Sequence, residues 1–501
     1  MTNRVPLIIN GEEVQSSSDS FVDVLNPATQ ELVCQVPLAT ASELEDALKS
    51  ASAAFPAWRD TPVQQRARVM LKLQALIREH SDEIAKCISI EQGKTFADAK
   101  GDVFRGLEVV EFSCSMPTLM MGEMLPQLSR HLDTEAFRVP LGVCSGICPF
   151  NFPAMIPLWM VPVAVAAGNT FILKPSERDP GACMILGRLF KEAGLPNGVL
   201  NIVHGTADCV KFLCTAPSIK AVSFVGSSKV GKIVYDLAST HGKRVQCNVG
   251  AKNHCVIMPD ADPQASTSAV VGAAFGAAGQ RCMAISVCVV VGDADQFIPL
   301  IKAKAQALKV TAGLEEGADI GPVISPEAKA RIVAMVEKAK KDGAEVLLDG
   351  TNITVEEYPR GNFVGPTMLT AVDPSMEIYQ EEVFGPVLIV MKVATLKEAI
   401  QLINENQYGN GTALFTRSGE AARQFKYEIE VGQVGINVPV PVPLPFFAWT
   451  GSKSSFLGDV NFYGKSGVRF YTQIRTVVSL WKPSGGEGDH AVSTSMPVLK
   501  H

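Results

Sequence analysis

The chain has 501 residues, 47% of them hydrophobic and 19% charged, a globular composition with apolar material for more than one core. A net charge of -6 gives no reason to expect nucleic acid or an anionic membrane as a partner. Twelve cysteines without a Cys-x-x-Cys pair argue against a metal site and for free thiols in a reducing compartment, and an N-terminus without a targeting pattern predicts a cytoplasmic protein.

In chain order, Leu7-Ile8-Ile9 before Asn10-Gly11 predicts a hairpin, and Val22–Leu25 before Asn26-Pro27 a further strand. Ser42 with Glu45 three residues on reads as a capping box that opens a helix. Helical periodicity continues through 66–80 and 81–91, with Val69, Leu71, Leu73, Leu76 and Ile77 on the apolar face. Residues 101–111 form another helix, which carries Arg105. After a strand at 137–140, the run 141–173 holds no charged residue, a length that spans a bilayer. Pro149, Pro153, Pro157 and Pro162 interrupt it, so it reads as a buried strand, loop, short helix and strand, with no membrane role. Strands at 199–203 and 221–225 follow, the second running into Gly226-Ser227-Ser228-Lys229-Val230-Gly231 and a helix. Strands alternating with helices predict a parallel α/β sheet. Asp262-Pro263 reads as a helix cap, with Gly279 ending that helix. A buried strand at 287–291, helices at 295–308 and 328–342 and a strand at 344–348 repeat the pattern. The alternation over 466–479 suits an extended arm, and the Gly/Ser-rich residues 483–501 a flexible tail.

Five segments carry chemistry. Cys282 lies beside Arg281 between a helix end and a strand, where a fixed positive charge favours the thiolate nucleophile. Taken alone, it reads more readily as an inert core cysteine. The Gly226–Gly231 turn allows close approach of a phosphate to a helix N-terminus, and equally suits an ordinary strand–helix turn. Lys174-Pro175-Ser176-Glu177 places a carboxylate at a strand's C-terminal edge, where it could hold ribose hydroxyls or sit in a solvated turn. Asn151, between Phe150 and Phe152 and flanked by prolines, has an amide that must find a partner or serve as an oxyanion donor. Glu381-Glu382-Val383-Phe384-Gly385-Pro386 places an acidic pair and an aromatic before a buried strand.

In this order and spacing, these segments resemble the aldehyde dehydrogenase superfamily over residues 7–480. The resemblance implies an α/β aldehyde dehydrogenase fold with a Rossmann-like NAD-binding domain (1–125 and 146–257) and an α/β catalytic domain (258–447). A β-arm for oligomerisation (126–145 and 466–482) and the tail at 483–501 complete it, in a homo-oligomer, dimer or tetramer. It implies Cys282 as nucleophile, and Asn151 with the Cys282 backbone N–H as oxyanion hole. Lys174 and Glu177 would hold the adenosine ribose, Gly226 and Ser227 the pyrophosphate, and Glu382 the nicotinamide ribose with Phe384 against it. Phe150 and Gly231 complete the cofactor set.

Most of the superfamily has a glutamate, the base that activates water, at the start of a Glu-Leu-Gly-Gly-Lys motif. Here the run is Asn248-Val249-Gly250-Ala251-Lys252, and Asn248 cannot take a proton. With Gly-Gln-Arg-Cys-Met-Ala-Ile-Ser and Phe462-Tyr463-Gly464-Lys465, it resembles the CoA-acylating branch that oxidises methylmalonate semialdehyde. That implies NAD and coenzyme A as co-substrates, a semialdehyde acid held by Arg105 and Arg281, and decarboxylation to propionyl-CoA or acetyl-CoA. The alternatives are a hydrolytic aldehyde dehydrogenase or a non-catalytic NAD-binding protein of the same fold.

Overall fold

The computed structural model describes residues 3–481 and Thr494; the expected tail at 483–501 otherwise lies outside the described residues. Two parallel-type sheets organise the chain. The first has eight strands in the spatial order Glu12–Val14, Leu7–Ile9, Leu200–Ile202, Thr170–Lys174, Val143–Ile147, Ile219–Val225, Arg244–Asn248 and Phe456–Leu457. Its five middle strands are parallel, and an antiparallel partner closes each side. The middle strands read as continuous apolar runs because helices cover both faces. The charge-free run folds as expected into the strand Val143–Ile147, the helix Met155–Ala166 and the strand Thr170–Lys174, and the helix is buried on every side.

Chain order reverses across this sheet at Val143–Ile147. The chain first moves outward through Thr170–Lys174 to Leu200–Ile202, then returns to the other side with Ile219–Val225. The loops leaving the carboxyl ends of Val143–Ile147 and Ile219–Val225 therefore splay apart, which opens a crevice where α/β sheets bind ligands.

The second sheet has the order Glu345–Leu348, Thr367–Thr370, Val387–Val393, Ile285–Val291, Asn253–Ile257, Gly411–Phe415 and Gln433–Ile436. Its core is separate from those of the first sheet and is rich in Val, Ile and Leu. Asn253–Ile257 pairs with Ile285–Val291 and Gly411–Phe415, so the boundary expected at 257/258 falls earlier, between Asn248 and Asn253. The last strand of the second sheet is Gln433–Ile436, and beyond residue 447 the strand Phe456–Leu457 returns to the first sheet.

The arm is a three-stranded antiparallel sheet of Glu123–Ser129, Leu132–Pro140 and Thr472–Leu480. It begins three residues before the expected 126 and ends before Val143, which belongs to the first sheet. Residues expected to be extended from 466 instead form the helix Gly464–Phe470, buried against the first core, before the strand starts at Thr472. The capping box also differs: Thr40 caps and Glu43 reciprocates, because the Glu43 carboxylate is shared with Ser16 and Ser17. Asp262 caps Pro263–Phe275 as expected, accepting from the N–H groups of Gln264 and Ala265.

Candidate active site

The helix Pro263–Phe275 stops four residues before Gly279. The chain then makes a tight turn in which Ala277 and Ala278 take left-handed φ values of 51° and 52°. Such conformations are costly for alanine and concentrate at functional sites. Gly279 is required there, because a Cβ would lie 2.1 Å from the Gly385 carbonyl oxygen. That close approach lays the Cys282 loop against the segment carrying Glu382 and Phe384. Two side-chain amides fix the loop further: Asn253 Nδ2 and Asn410 Nδ2 donate to the Cys282 carbonyl at 2.8 and 2.9 Å.

A cleft of about 550 Å³ opens at the reversal point of the first sheet. Phe150 and Asn151 line it from one side and Gly226, Ser227 and Ser228 from the other; Cys282, Glu382 and Phe384 close its inner end. Most of the expected site thus converges. Phe150 meets Phe384 edge-on with ring centroids 5.9 Å apart. Gly226 and Ser227 sit at the N-terminus of the helix Ser228–Thr240, whose unpaired N–H groups suit a phosphate. Gly231 lies within that helix, and a Cβ there would meet Val249 at 2.1 Å, so its smallness serves the packing of helix on strand.

Lys174 and Glu177 lie outside the lining of this cleft and pair with each other, Nζ to Oε2 3.0 Å. Burial pushes the Glu177 carboxyl up, but Lys174 outweighs it, and the net effect holds Glu177 below the usual carboxylate range. Glu382 is the opposite case. Burial pushes it up to about 7, against the Ala251 N–H at 3.1 Å and the nearby Lys252. Lys252 is itself pushed down to about 7 by burial, and donates to the carbonyls of Ile378 and Glu381 at 2.6 and 2.8 Å.

The expectation that Arg281 favours the Cys282 thiolate is not met. Burial, and then Glu382, push the thiol up to about 12; the N–H groups of Cys282 and Met283 and the Lys94 charge oppose this. Arg281 instead pairs its guanidinium with Asp98, a residue distant in sequence. Arg105 is half-exposed and pairs with Glu108 at 2.9 Å. It influences Tyr463, whose phenol is pushed up by burial and by Cys282 and pulled back by Arg105, so all three occupy one neighbourhood. Tyr463 holds φ 35° and meets Trp159 edge-on at 5.2 Å. Phe446 is 67% exposed and edge-on to Phe112.

Asn248 is fully buried, and neither of its amide atoms has a hydrogen-bond partner among the described residues. Its Oδ1 lies 3.5 Å from where a Cβ on Gly451 would stand, and its neighbour Val249 lines the cleft in its place. His254 bonds the Lys252 carbonyl at 2.7 Å and the Tyr379 hydroxyl at 3.0 Å, and burial pushes it down to about 3. It is a structural histidine.

Sequence reasoning missed Lys94, Asp98, Asp102, Asn253 and Asn410. Lys94 and Asp98 at spacing i, i+4 gave a local signal; the two asparagines gave none.

A thiol and a carboxamide at the inner end of a dinucleotide-type cleft, between two α/β units, make the site of a thiol-dependent, nucleotide-linked oxidoreductase. The chain belongs to the aldehyde dehydrogenase family, whose model matches residues 14–477. It is 58% identical over 497 residues to the mitochondrial methylmalonate-semialdehyde dehydrogenase [acylating] of Arabidopsis thaliana, covering 99% of this chain and 81% of that one. The human mitochondrial methylmalonate-semialdehyde/malonate-semialdehyde dehydrogenase [acylating] is 55% identical over 495 residues, covering 99% of this chain and 92% of its own. Among solved structures, the methylmalonate-semialdehyde dehydrogenase of Oceanimonas doudoroffii superposes with a TM-score of 0.95 at 45% identity, covering 97% of this chain and 99% of that one. A Sinorhizobium meliloti protein assigned to the same activity and complexed with NAD gives a TM-score of 0.95 at 44% identity, with the same coverage. No helix among the described residues is long and apolar enough to cross a membrane.

Proposed function

We propose that this protein catalyses the NAD-dependent, CoA-acylating oxidation of methylmalonate semialdehyde and malonate semialdehyde, with decarboxylation to propionyl-CoA and acetyl-CoA. The relatives named above support the substrate class. The observation that carries the acylating chemistry is Asn248: where a base would activate water, a buried amide stands, outside the lining of the cleft.

The cleft's volume, its helix N-terminus and the Glu382 carboxylate suit a dinucleotide, with Gly226 and Ser227 at the pyrophosphate and Glu382 at a ribose. When bound, NAD accepts the hydride. Cys282, once deprotonated, adds to the aldehyde carbon, and the resulting oxyanion is held by the Asn151 amide and the Cys282 N–H. Oxidation leaves a thioester on Cys282 with a carboxylate β to its carbonyl. That carboxylate departs as CO2, its bonding pair passes into the thioester carbonyl, and the enolate takes a proton. The CoA thiol then displaces the acyl group, and Cys282 is restored. A thiol with a pKa near 8.5 is already a few per cent thiolate at neutral pH and needs less help than water.

One feature favours a hydrolytic reading: Glu382 shares the cleft with Cys282 and titrates at about 7. Rapid mixing with methylmalonate semialdehyde and NAD decides between them. Without CoA, a burst of NADH near one per active site should be followed by a slow drift, and CoA should restore steady turnover with an acyl-CoA as product. Steady CoA-free turnover that CoA does not accelerate returns the enzyme to the hydrolytic class.

The arm supports a homo-oligomer. Met124, Leu125, Ile474, Val478 and Leu480 are exposed on it, an apolar surface that a second copy would cover. The twelve free cysteines support a reducing compartment. The cytoplasmic reading is tested by fractionation, against the mitochondrial names of the relatives.

A further inference from the structure

Lys94 belongs to no part of the site expected from the sequence, yet its side chain is wholly buried behind the cleft. Its Nζ donates to the backbone carbonyl of Asn151 at 2.6 Å and to Asp102 Oδ2 at 3.2 Å. It lies 3.9 Å from Asp98 Oδ2 and 4.0 Å from the centroid of the Phe152 ring. Asp98 and Asp102 stand one turn apart on the helix Phe96–Ser113 and so share a face.

Each carboxylate reaches onward with its second oxygen. Asp102 Oδ1 accepts from the Met155 N–H at 2.7 Å, where the helix Met155–Ala166 begins just beyond the Asn151 loop. Asp98 Oδ1 pairs with Arg281, the residue before Cys282. The backbone of Lys94 is itself held. Its N–H donates to Gln92 Oε1 at 3.0 Å, and its carbonyl oxygen lies 2.2 Å from where a Cβ on Gly313 would stand. Two cations and two carboxylates thus form one balanced buried group that touches both loops of the site.

We infer that Lys94 is a positioning residue that holds the Asn151 loop and the Arg281–Cys282 loop in register, so that the oxyanion donor and the nucleophile meet the same carbonyl carbon. The inference rests on the roles given above to Cys282 and Asn151. A lysine present only for charge balance would need its carboxylate partners alone. This one makes a charge-assisted hydrogen bond to the main chain of Asn151, a residue that lines the cleft. The same ammonium lies 3.9 Å from Asp98, whose other oxygen pairs with the arginine adjoining the nucleophile.

The test uses the double variant Lys94→Met/Asp102→Asn, which removes both charges of the closest pair and keeps their shape, so that no buried charge is left without its partner. The wild type is first assayed for CoA-dependent turnover, since its absence would overturn the functional reading and not the role of Lys94. The NADH burst is then timed with methylmalonate semialdehyde and with propanal, and NAD affinity is measured by fluorescence titration. Loss of one oxyanion donor typically costs 10²–10³-fold. The burst should therefore slow at least thirtyfold with both aldehydes while NAD affinity stays within threefold. Adding Asn151→Ala should slow it by less than a further tenfold, because the amide is already misplaced. A smaller loss of burst rate, a larger change in NAD affinity, or a full additional loss from Asn151→Ala overturns the inference. Should the double variant fail to fold, Asp98→Asn decides. It should slow the burst at least tenfold with both aldehydes while NAD affinity stays within threefold; any smaller effect, or one confined to methylmalonate semialdehyde, overturns the inference.

Discussion

The side-chain amide of Asn253 donates to the carbonyl oxygen of Cys282 at 2.8 Å, so the first strand after the Asn248 turn holds the nucleophile loop. The same amide donates to the Ala284 carbonyl at 2.9 Å and accepts from the Gly411 N–H at 3.0 Å, which ties three segments of the second sheet together. Asn253→Ala leaves the buried Gly411 N–H without this acceptor, a loss of roughly 1–3 kcal/mol. Urea denaturation should show a stability fall of that order, with a slower NADH burst. Unchanged stability would mean that this amide does not hold the loop.

Arg281 and Arg105 are expected to receive the substrate carboxylate, and the structure sets different conditions for each. Arg281 is already paired with Asp98, so it offers a fixed guanidinium with its remaining N–H groups; Arg105 is half-exposed and held by Glu108. Removing one partner of a desolvated charge pair costs about 2–5 kcal/mol. Arg281→Leu should therefore raise KM for semialdehyde acids far more than for propanal, and Arg105→Leu should do so by a smaller factor. Equal effects on charged and uncharged aldehydes would remove both from this role.

Glu177 is ionised in the folded protein, since Lys174 at 3.0 Å holds its carboxyl below the usual range despite burial. An anion at the adenosine ribose repels a 2′-phosphate. NAD should be used with a higher kcat/KM than NADP, and Glu177→Gln should narrow the gap. Comparable values for the two cofactors in the wild type would contradict the assignment.

Glu382 titrates at about 7 in the folded protein, against an ordinary value of 4.5. Between those values the folded state binds more protons than the unfolded one, so this group's contribution to stability falls as pH rises from about 4.5 to about 7. Glutamine at this position has no such penalty. The melting temperature of Glu382→Gln, relative to that of the wild type, should therefore rise from pH 4.5 to pH 8. A constant difference across that range would show that the carboxyl is not held in the buried environment seen here.

Much of the molecule was legible from local patterns. The Asn10-Gly11 hairpin, the Asp262-Pro263 cap and the buried strand–loop–helix–strand of 141–173 formed as expected, because each depends on neighbours within a few residues. The motif residues Phe150, Asn151, Gly226, Ser227, Cys282, Glu382 and Phe384 do meet at one cleft. Local pattern failed where a distant partner decided. The alternating run expected to be extended from 466 opens instead as the end of the helix Gly464–Phe470, because Val468 and Phe470 pack into the first core ahead of the arm.

By itself, the sequence determined the alternation of strands and helices, the glycine turn at a helix N-terminus, and the absence of a base at Asn248, all properties of adjacent residues. Only the tertiary structure decided that Asn253–Ile257 joins the second sheet, that Arg281 serves Asp98 before any thiolate, and that Cys282 is a buried thiol pushed up to about 12. It also brought Lys94 within 2.6 Å of the Asn151 carbonyl. The physical reason is common to these cases: desolvation and ion pairing depend on everything packed around a group, and the residues doing the packing come from segments far apart in the chain.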